Sequence, residues 1–385
     1  MFSAIGQFVA TYWQTAIMMV IGGLLIYLAI KKEYEPMLLL PIGFGAILAN
    51  IPGSSAIGEH GFLTVLYNAG IANELFPILI FIGVGAMIDF GPLLRRPFMM
   101  FFGAAAQFGI FATLLAAFYI GQLKGLFPEG SIIANIIPQF SLKEAASIGI
   151  IGAADGPTSI YVASLFAPKL LGPISVAAYS YMSLVPLIQP PVIRLLTTKK
   201  ERVIRMDHFD EVKVSKTVRI LFPIIVTVVA GLVAPISVAL IGALMFGNLI
   251  RECGVIERLS KSAQNELANL VTLLLGITIG STMVAKDFLA PSTLFIMVMG
   301  LLAFIFDTAG GVMFAKLLNL FLKNKVNPMI GAAGISAFPM SARVIHKIGL
   351  EEDPSNYLLM HAIGANVAGQ VGSIVAGGVL LALLQ

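Results

Sequence analysis

One carboxylate stands alone in an apolar run of this chain. Asp155 lies in IGIIGAADGPTSIYVA, residues 148–163, which holds no other charged residue. Burying such a group is costly unless it is paired, protonated or bound to a cation. Asp-Gly-Pro is also the chemistry of a cap on a half-helix starting near Pro157. The two roles are compatible, because a helix break frees carbonyl oxygens that can complete a hard-cation site. A second polar group falls in NPMIGAAGISAFPMSARV, residues 327–344. Its Asn327 and Ser336 offer neutral oxygens, and together with Asp155 they would supply one negative charge and several dipoles. That donor set suits a monovalent ion better than calcium. Each of the two is equally readable as a helix cap or as polar glue between helices, and Ser341 shares the ambiguity. Gly331 reads as a site of close backbone approach. Tyr179 and Tyr181 lie two residues apart, so on a helix they face different ways. Tyrosines of membrane helices usually sit in the interfacial belt, yet a phenol at depth can relay a proton or hydrogen-bond a carboxylate. Arg343 is either an anchor at a segment end, as Lys347 is, or a group that orients a substrate carboxylate.

These residues have to be positioned by membrane helices. Of 385 residues, 58% are hydrophobic and only 11% are charged, and the mean hydropathy is +0.94, which excludes an ordinary soluble domain. The net charge of +4 does not point to nucleic acid, because Lys and Arg gather at the ends of apolar segments, the positive-inside pattern. The first segment, roughly Gln14 to Ile30, is followed by Lys31 and Lys32 and by no small-residue cleavage site, and reads as a spanning helix. The single cysteine, Cys253, has no Cys or His neighbour at metal-ligand spacing, which argues against disulfide, redox and zinc chemistry.

The polar stretch Thr198 to Lys216, with Lys199, Lys200, Arg202, Arg205, Lys213 and Lys216, divides the chain and is expected to be cytoplasmic. The expected units are an N-terminal membrane repeat, 1–197, a linker, 198–216, and a C-terminal repeat, 217–385. FGAILAN at Phe44 echoes FGNLIRE at Phe246, NEL at Asn73 echoes NEL at Asn265, and IGAADG at Ile151 echoes IGAAGI at Ile330, all in the same order. With Lys31/Lys32, Arg95/Arg96, the linker, Arg251/Arg258/Lys261 and Arg343/Lys347 placed inside, echoed segments run in opposite directions. The expected fold is therefore all-α: a polytopic membrane protein of two inverted repeats with about ten spans. Gly149, Gly152, Gly156 and Pro157 break one segment, and Pro328, Gly331, Gly334 and Pro339 break its counterpart, so that two broken or re-entrant helices meet at mid-membrane. Gln189, Pro190 and Pro191 are expected to kink the Leu171 to Leu196 segment near its cytoplasmic end. Asp89, Asp307, Lys286, Glu74, Glu266, His346 and His361 are read as interfacial.

GAADGPTSIYVA, then AAYSYMSLVPLIQPPVIRLLTTKKER, NPMIGAAGISAFPMSARV and EEDPSNYLLMHAIGANVAGQVGS, resemble the β subunits of the biotin-dependent, sodium-translocating decarboxylases that act on oxaloacetate, methylmalonyl-CoA and glutaconyl-CoA. The resemblance covers most of the chain from about Asn73 onward. It implies that carboxybiotin on a separate carrier subunit is decarboxylated at this membrane subunit, driving sodium ions outward while a proton is consumed. The family's essential membrane aspartate falls on Asp155 and its functional tyrosine on Tyr181. Its Asn, Gly, Ser and Arg positions fall on Asn327, Gly331, Ser336 and Arg343, with no departure from the pattern. The implied catalytic set is Asp155, Tyr181, Ser336 and Arg343, with Arg343 and Tyr179 contacting carboxybiotin. The implied sodium ligands are Asp155, Asn327, Gly331, Ser336 and, in GANVAG, Asn366. Implied partners are a carboxyltransferase (α) subunit, a biotin carrier protein, a small membrane (γ/δ) subunit and further copies of the chain, as a trimer, in the cytoplasmic membrane of a bacterium or archaeon. The alternative is a sodium-coupled carboxylate transporter, since inverted repeats with broken helices also serve that class. A purely structural scaffold would gain nothing from an intramembrane carboxylate.

Overall fold

In hydrocarbon every backbone N–H and C=O has to find a partner within the protein, which leaves helices as the form this composition can take. The computed structural model describes residues 2–126, 137–206, 214–233 and 235–384; Lys213 of the polar stretch lies outside them. Among the described residues the fold is all-helical, with no strand. Five helices are long and apolar enough to cross a membrane: Tyr12–Lys31, Pro97–Gln122, Pro235–Cys253, Pro291–Leu318 and Leu359–Leu384. Two bent pairs, Phe62–Ile71 with Leu75–Met87 (63°) and Pro168–Ser183 with Val185–Leu196 (68°), bring the number to seven if each pair is one span. The count falls below ten because other apolar segments are short, such as the 15-residue Pro36–Asn50, or interrupted.

The first interruption follows the helix Leu142–Gly149, which Ser141 and Glu144 start with a reciprocal capping box. A 3-10 turn, Ile150–Ala153, tightens the backbone. Ala154 then takes a left-handed conformation at φ 53°, strained by about 1–3 kcal/mol for a residue with a Cβ. Asp155 is extended, and Pro157 opens the helix Gly156–Phe166, where a missing N–H costs nothing. The second interruption separates the short helix Met329–Ala332 from Met340–Glu352. The two interruptions touch: the Ser336 N–H donates to the Ala153 carbonyl at 3.2 Å.

Two expectations are corrected. The Leu171 to Leu196 segment bends at Leu184, between its two helices, and Pro190 and Pro191 lie inside Val185–Leu196. Pro186 sits in the first turn of that helix and favours a start there. Asp307 is enclosed, 1% exposed, whereas His361, also buried, does lie at a segment end, in the first turn of Leu359–Leu384. Asp307 lies past the middle of Pro291–Leu318, which Gly310 and Gly311 do not end. Gly311 instead lets the backbone of Gly331 approach.

Helix crossings in this core rely on absent side chains. Pro36–Asn50 packs on Ala268–Thr282, and Val238–Cys253 on Leu75–Met87. At the first crossing a methyl on Gly280 would overlap the Ile42 carbonyl, and at the second a methyl on Gly247 would overlap that of Ile82. An asparagine closes each: the Asn50 side-chain amide donates to the Met283 carbonyl at 2.8 Å, and that of Asn248 to the Ile88 carbonyl at 3.0 Å. Gly280→Leu is therefore expected to lower the melting temperature of the protein in detergent, by overpacking worth about 1–3 kcal/mol. Gly23→Leu, whose added Cβ meets nothing within 4 Å, should leave it unchanged.

Candidate functional site

Asp155 is 7% exposed and stands in the N-cap position of Gly156–Phe166, but its side chain makes no capping bond. Oδ2 instead accepts from the Thr158 hydroxyl at 2.6 Å and from the Ser373 hydroxyl at 3.1 Å. Ser373 Oγ lies 3.2 Å from Ser336 Oγ, so a chain of hydroxyls runs from the first interruption to the second. Gly156, beside Asp155, has the Tyr179 ring lying on its Cα, where any side chain would overlap it. Tyr179 is 1% exposed, and its hydroxyl has no hydrogen-bond partner among the described residues.

The helix Leu359–Leu384 supplies a polar stripe at helical spacing, Asn366, Gln370 and Ser373. The Asn366 amide donates to the Ile335 carbonyl at 2.6 Å, and the Gln370 amide donates to that of Ser336. From Gln107, which parts Pro97–Gln122 into Met100–Ala106 and Phe108–Gln122, the side-chain amide reaches the Gly334 carbonyl at 3.4 Å. Three amides thus hold three consecutive carbonyls of the second interruption. The remaining amide oxygens of Asn366 and Gln107 are buried without a partner among the described residues. A carboxylate, hydroxyls and an amide oxygen are groups of the kind that a hard monovalent cation takes as ligands.

Asp155, Ser336, Asn366 and Tyr179 therefore come together. Tyr181 turns away, as its spacing from Tyr179 requires: its hydroxyl donates to the Met297 carbonyl at 2.7 Å and its ring lies by Gly300 and Phe304. Gly331 serves the backbone crossing with Gly311. The Asn327 side chain is spent elsewhere, its amide donating to the carbonyls of Arg202 and Ile204 at 2.8 and 2.9 Å and its oxygen accepting from the Met329 N–H at 3.1 Å. Ser341 joins Gln189 and the Ala332 carbonyl, at 2.9 and 3.1 Å. Arg343 is exposed on a cleft of ≈ 390 Å³ shared with His346, Lys347, Leu350, Glu351 and Leu359. Beside it the linker is fastened by Arg202–Glu352 at 2.8 Å and Arg205–Asp353 at 2.6 Å, and the end of Val185–Leu196 by Arg194–Glu351 at 2.8 Å. The Arg205 guanidinium holds the half-buried Asp353 carboxyl below its ordinary range.

Thr158 and Ser373 were not singled out by sequence reasoning. The i, i+4, i+7 spacing of Asn366, Gln370 and Ser373 is the signal that marks Ser373, and the i+3 position marks Thr158.

A buried carboxylate bridged by hydroxyls between two interrupted helices defines an ion-handling membrane protein. Residues 14–384 match the family described as the Na+-transporting oxaloacetate decarboxylase beta subunit, and the chain belongs to that family. It is 51% identical to the methylmalonyl-CoA decarboxylase subunit beta of Veillonella parvula and 50% identical to the glutaconyl-CoA decarboxylase subunit beta of Acidaminococcus fermentans, in each case over 98% of this chain and 95% of the relative. It is 47% identical to the oxaloacetate decarboxylase beta chain 2 of Salmonella typhi over 95% of this chain and 94% of the relative. Membership sets aside the transporter and scaffold readings.

The placement of Asn327 has a direct consequence. Asn327→Ala removes two bonds to linker carbonyls, a loss of about 1–3 kcal/mol if those groups stay buried. In inverted membrane vesicles trypsin should then cut faster at Arg202 and Arg205, whereas Ser336→Ala should leave the cleavage rate as it is.

Proposed function

We propose that carboxybiotin, presented by a biotin carrier subunit, loses its carboxyl group at this chain, and that the reaction drives sodium ions outward with Asp155 as the shared sodium and proton site. In the chemical step the bond between the biotin nitrogen and the carboxyl carbon breaks, carbon dioxide leaves, and the nitrogen takes a proton. The observation that carries the reading is Asp155 itself, an enclosed carboxylate joined through Ser373 to the second interruption. Such a group has to be neutralised, and a proton or a sodium ion can each do it. Ser336 and the spare oxygen of Asn366 supply further ligands. Asn327 and Gly331 enter this reading only as supports, one holding the linker and the other the backbone crossing.

Tyr179 takes the place beside Asp155 that the family resemblance assigns to Tyr181, because its free hydroxyl borders Gly156. Arg343, exposed on its cleft and without an ion-pair or hydrogen-bond partner among the described residues, is suited to meet the carboxylate of incoming carboxybiotin. The partners in this reading are a carboxyltransferase subunit, the biotin carrier, a small membrane subunit and two further copies of the chain.

The inverted repeat, with units 1–197 and 217–385 joined by 198–216, is supported by the paired crossings. Pro36–Asn50 on Ala268–Thr282 and Val238–Cys253 on Leu75–Met87 exchange partners between halves, each closed by an asparagine from an echoed motif. A π-helical turn precedes the inner helix in each half, Tyr67–Ile71 and Ala263–Leu267. With the bent and interrupted segments counted as crossings, the total comes to about ten, in the cytoplasmic membrane of a bacterium or archaeon.

Asp155→Asn keeps the shape and removes the charge, so a reconstituted complex should assemble and lose sodium-dependent carboxybiotin decarboxylation and sodium flux. Near-normal pumping by this variant would overturn the reading. With the native residue, sodium and protons compete, and the sodium needed for half-maximal activity should rise as pH falls. Ser373→Ala should raise it about tenfold, the loss of one bond to a charged group. Tyr179→Phe should slow turnover about 100-fold, and Tyr181→Phe should be milder; the reverse order would return the role to Tyr181. For orientation, Cys253, half-buried at the end of Pro235–Cys253, should resist a membrane-impermeant thiol reagent applied to intact cells and react in inverted vesicles.

A further inference from the structure

The core encloses a second carboxylate that the Asp155 site does not use. Asp307 is 1% exposed on Pro291–Leu318, where that helix packs on Phe108–Gln122 and on the turn Ile150–Ala153. Oδ1 lies against the Cα of Gly109 and Oδ2 against that of Gly152, since a methyl at either glycine would collide with the carboxylate. The methyl of Ala303 borders the same spot. The N–H groups of Gly109 and Ile110 face the carboxylate, yet among the described residues neither oxygen completes a hydrogen bond.

The other titratable groups of the elements packed here do not reach it. Tyr181, on Leu171–Ser183, gives its hydroxyl to Met297, and Tyr179 of the same helix lies with its ring and hydroxyl on Gly156. Arg194, on Val185–Leu196, is held by Glu351 and Glu352. Lys316, on the same helix as Asp307, pairs with Glu201 at 3.2 Å. Lys143 lies over the Phe166 ring, and Glu144 closes the capping box at Ser141. Tyr119 is exposed, and Asp155 lies beyond the Gly152 turn.

An unpaired carboxylate so placed has to be neutralised. A metal cation would need several oxygen ligands, and the groups against the carboxylate are two glycine Cα atoms and a methyl group, which offer none. A proton needs no coordination shell. We propose that Asp307 is a second proton-binding site of the membrane core, separate from Asp155 and closed to sodium. The core would then hold one carboxyl that exchanges its proton for sodium and one that keeps its proton at any sodium concentration.

Infrared spectroscopy of the reconstituted complex at neutral pH tests this through the C=O stretch of protonated carboxyls, recorded without sodium and with saturating sodium, with isotope-labelled aspartate to identify the residue type. Part of the labelled band should vanish with sodium, and part should persist. Asp307→Asn should remove the persisting part. A persisting band unchanged in Asp307→Asn overturns the proposal, as does the absence of any labelled band in saturating sodium in the unmutated complex. Loss of a sodium-sensitive band on Asp307→Asn overturns it as well, by making Asp307 a sodium ligand. If Asp307→Asn does not assemble, the unmutated complex still decides through the presence or absence of the persisting band. The sodium-sensitive part, lost in Asp155→Asn, reports on Asp155 separately, so the two readings fail independently.

Discussion

The bond from the Ser336 N–H to the Ala153 carbonyl, 3.2 Å long, joins two places where a helix inside an apolar core has been given up. Each break frees backbone donors and acceptors that water does not reach, and leaving them unpaired would cost more than most single contacts return. The breaks are tolerated because each finds partners on the other and on the helices around them. Everything distinctive about the core follows from satisfying those groups: the glycines that let backbones approach, the hydroxyl chain, and the amides aimed at carbonyls.

The second interruption shows this most fully. Gln107, Asn366 and Gln370 reach the carbonyls of Gly334, Ile335 and Ser336 in turn. One turn earlier, Gln189 donates to the Ala332 carbonyl at 2.9 Å while accepting from Ser341. Side-chain amides are suited to the task because one end donates and the other still accepts. Where the accepting end is used, as in Gln189, the network is closed and structural. Where it is left over, as in Asn366, whose oxygen is buried without a partner among the described residues, the same residue that mends the backbone keeps an acceptor to spare.

Much of this was legible in the sequence, and the parts that were not share a cause. Asp155 stood out because a lone charge in an apolar run has few explanations, and the broken segments were visible as glycine and proline clusters. Asp307 reads as interfacial in the sequence, and what encloses it is the contact of its helix with Gly109 and Gly152, far away along the chain. Asn327 precedes a proline at a break just as a ligand would, yet its partners, Arg202 and Ile204, lie 125 and 123 residues away. The two tyrosines could be assigned to different helix faces from spacing alone, but which face meets Asp155 depends on how Leu171–Ser183 is rotated against Gly156–Phe166. Local pattern reveals what a residue can do, and long-range packing decides whether its atoms are already committed.

The division of labour between the two interruptions has a physical consequence. The first contributes the charge, on Asp155, together with a strained Ala154 that fixes the direction of the chain entering it. The second contributes no charge, only dipoles: Ser336 and the amides that hold its carbonyls. A cation bound between them would be attracted by the first and solvated by the second, so neither alone would hold it well in an apolar surround. Affinity would then depend on the distance between the interruptions, which the Ser336 to Ala153 bond and the Ser373 hydroxyl set. A site built this way can be emptied without moving the carboxylate, by parting the dipoles from it; a proton, which needs no such shell, would then be the species left to neutralise Asp155.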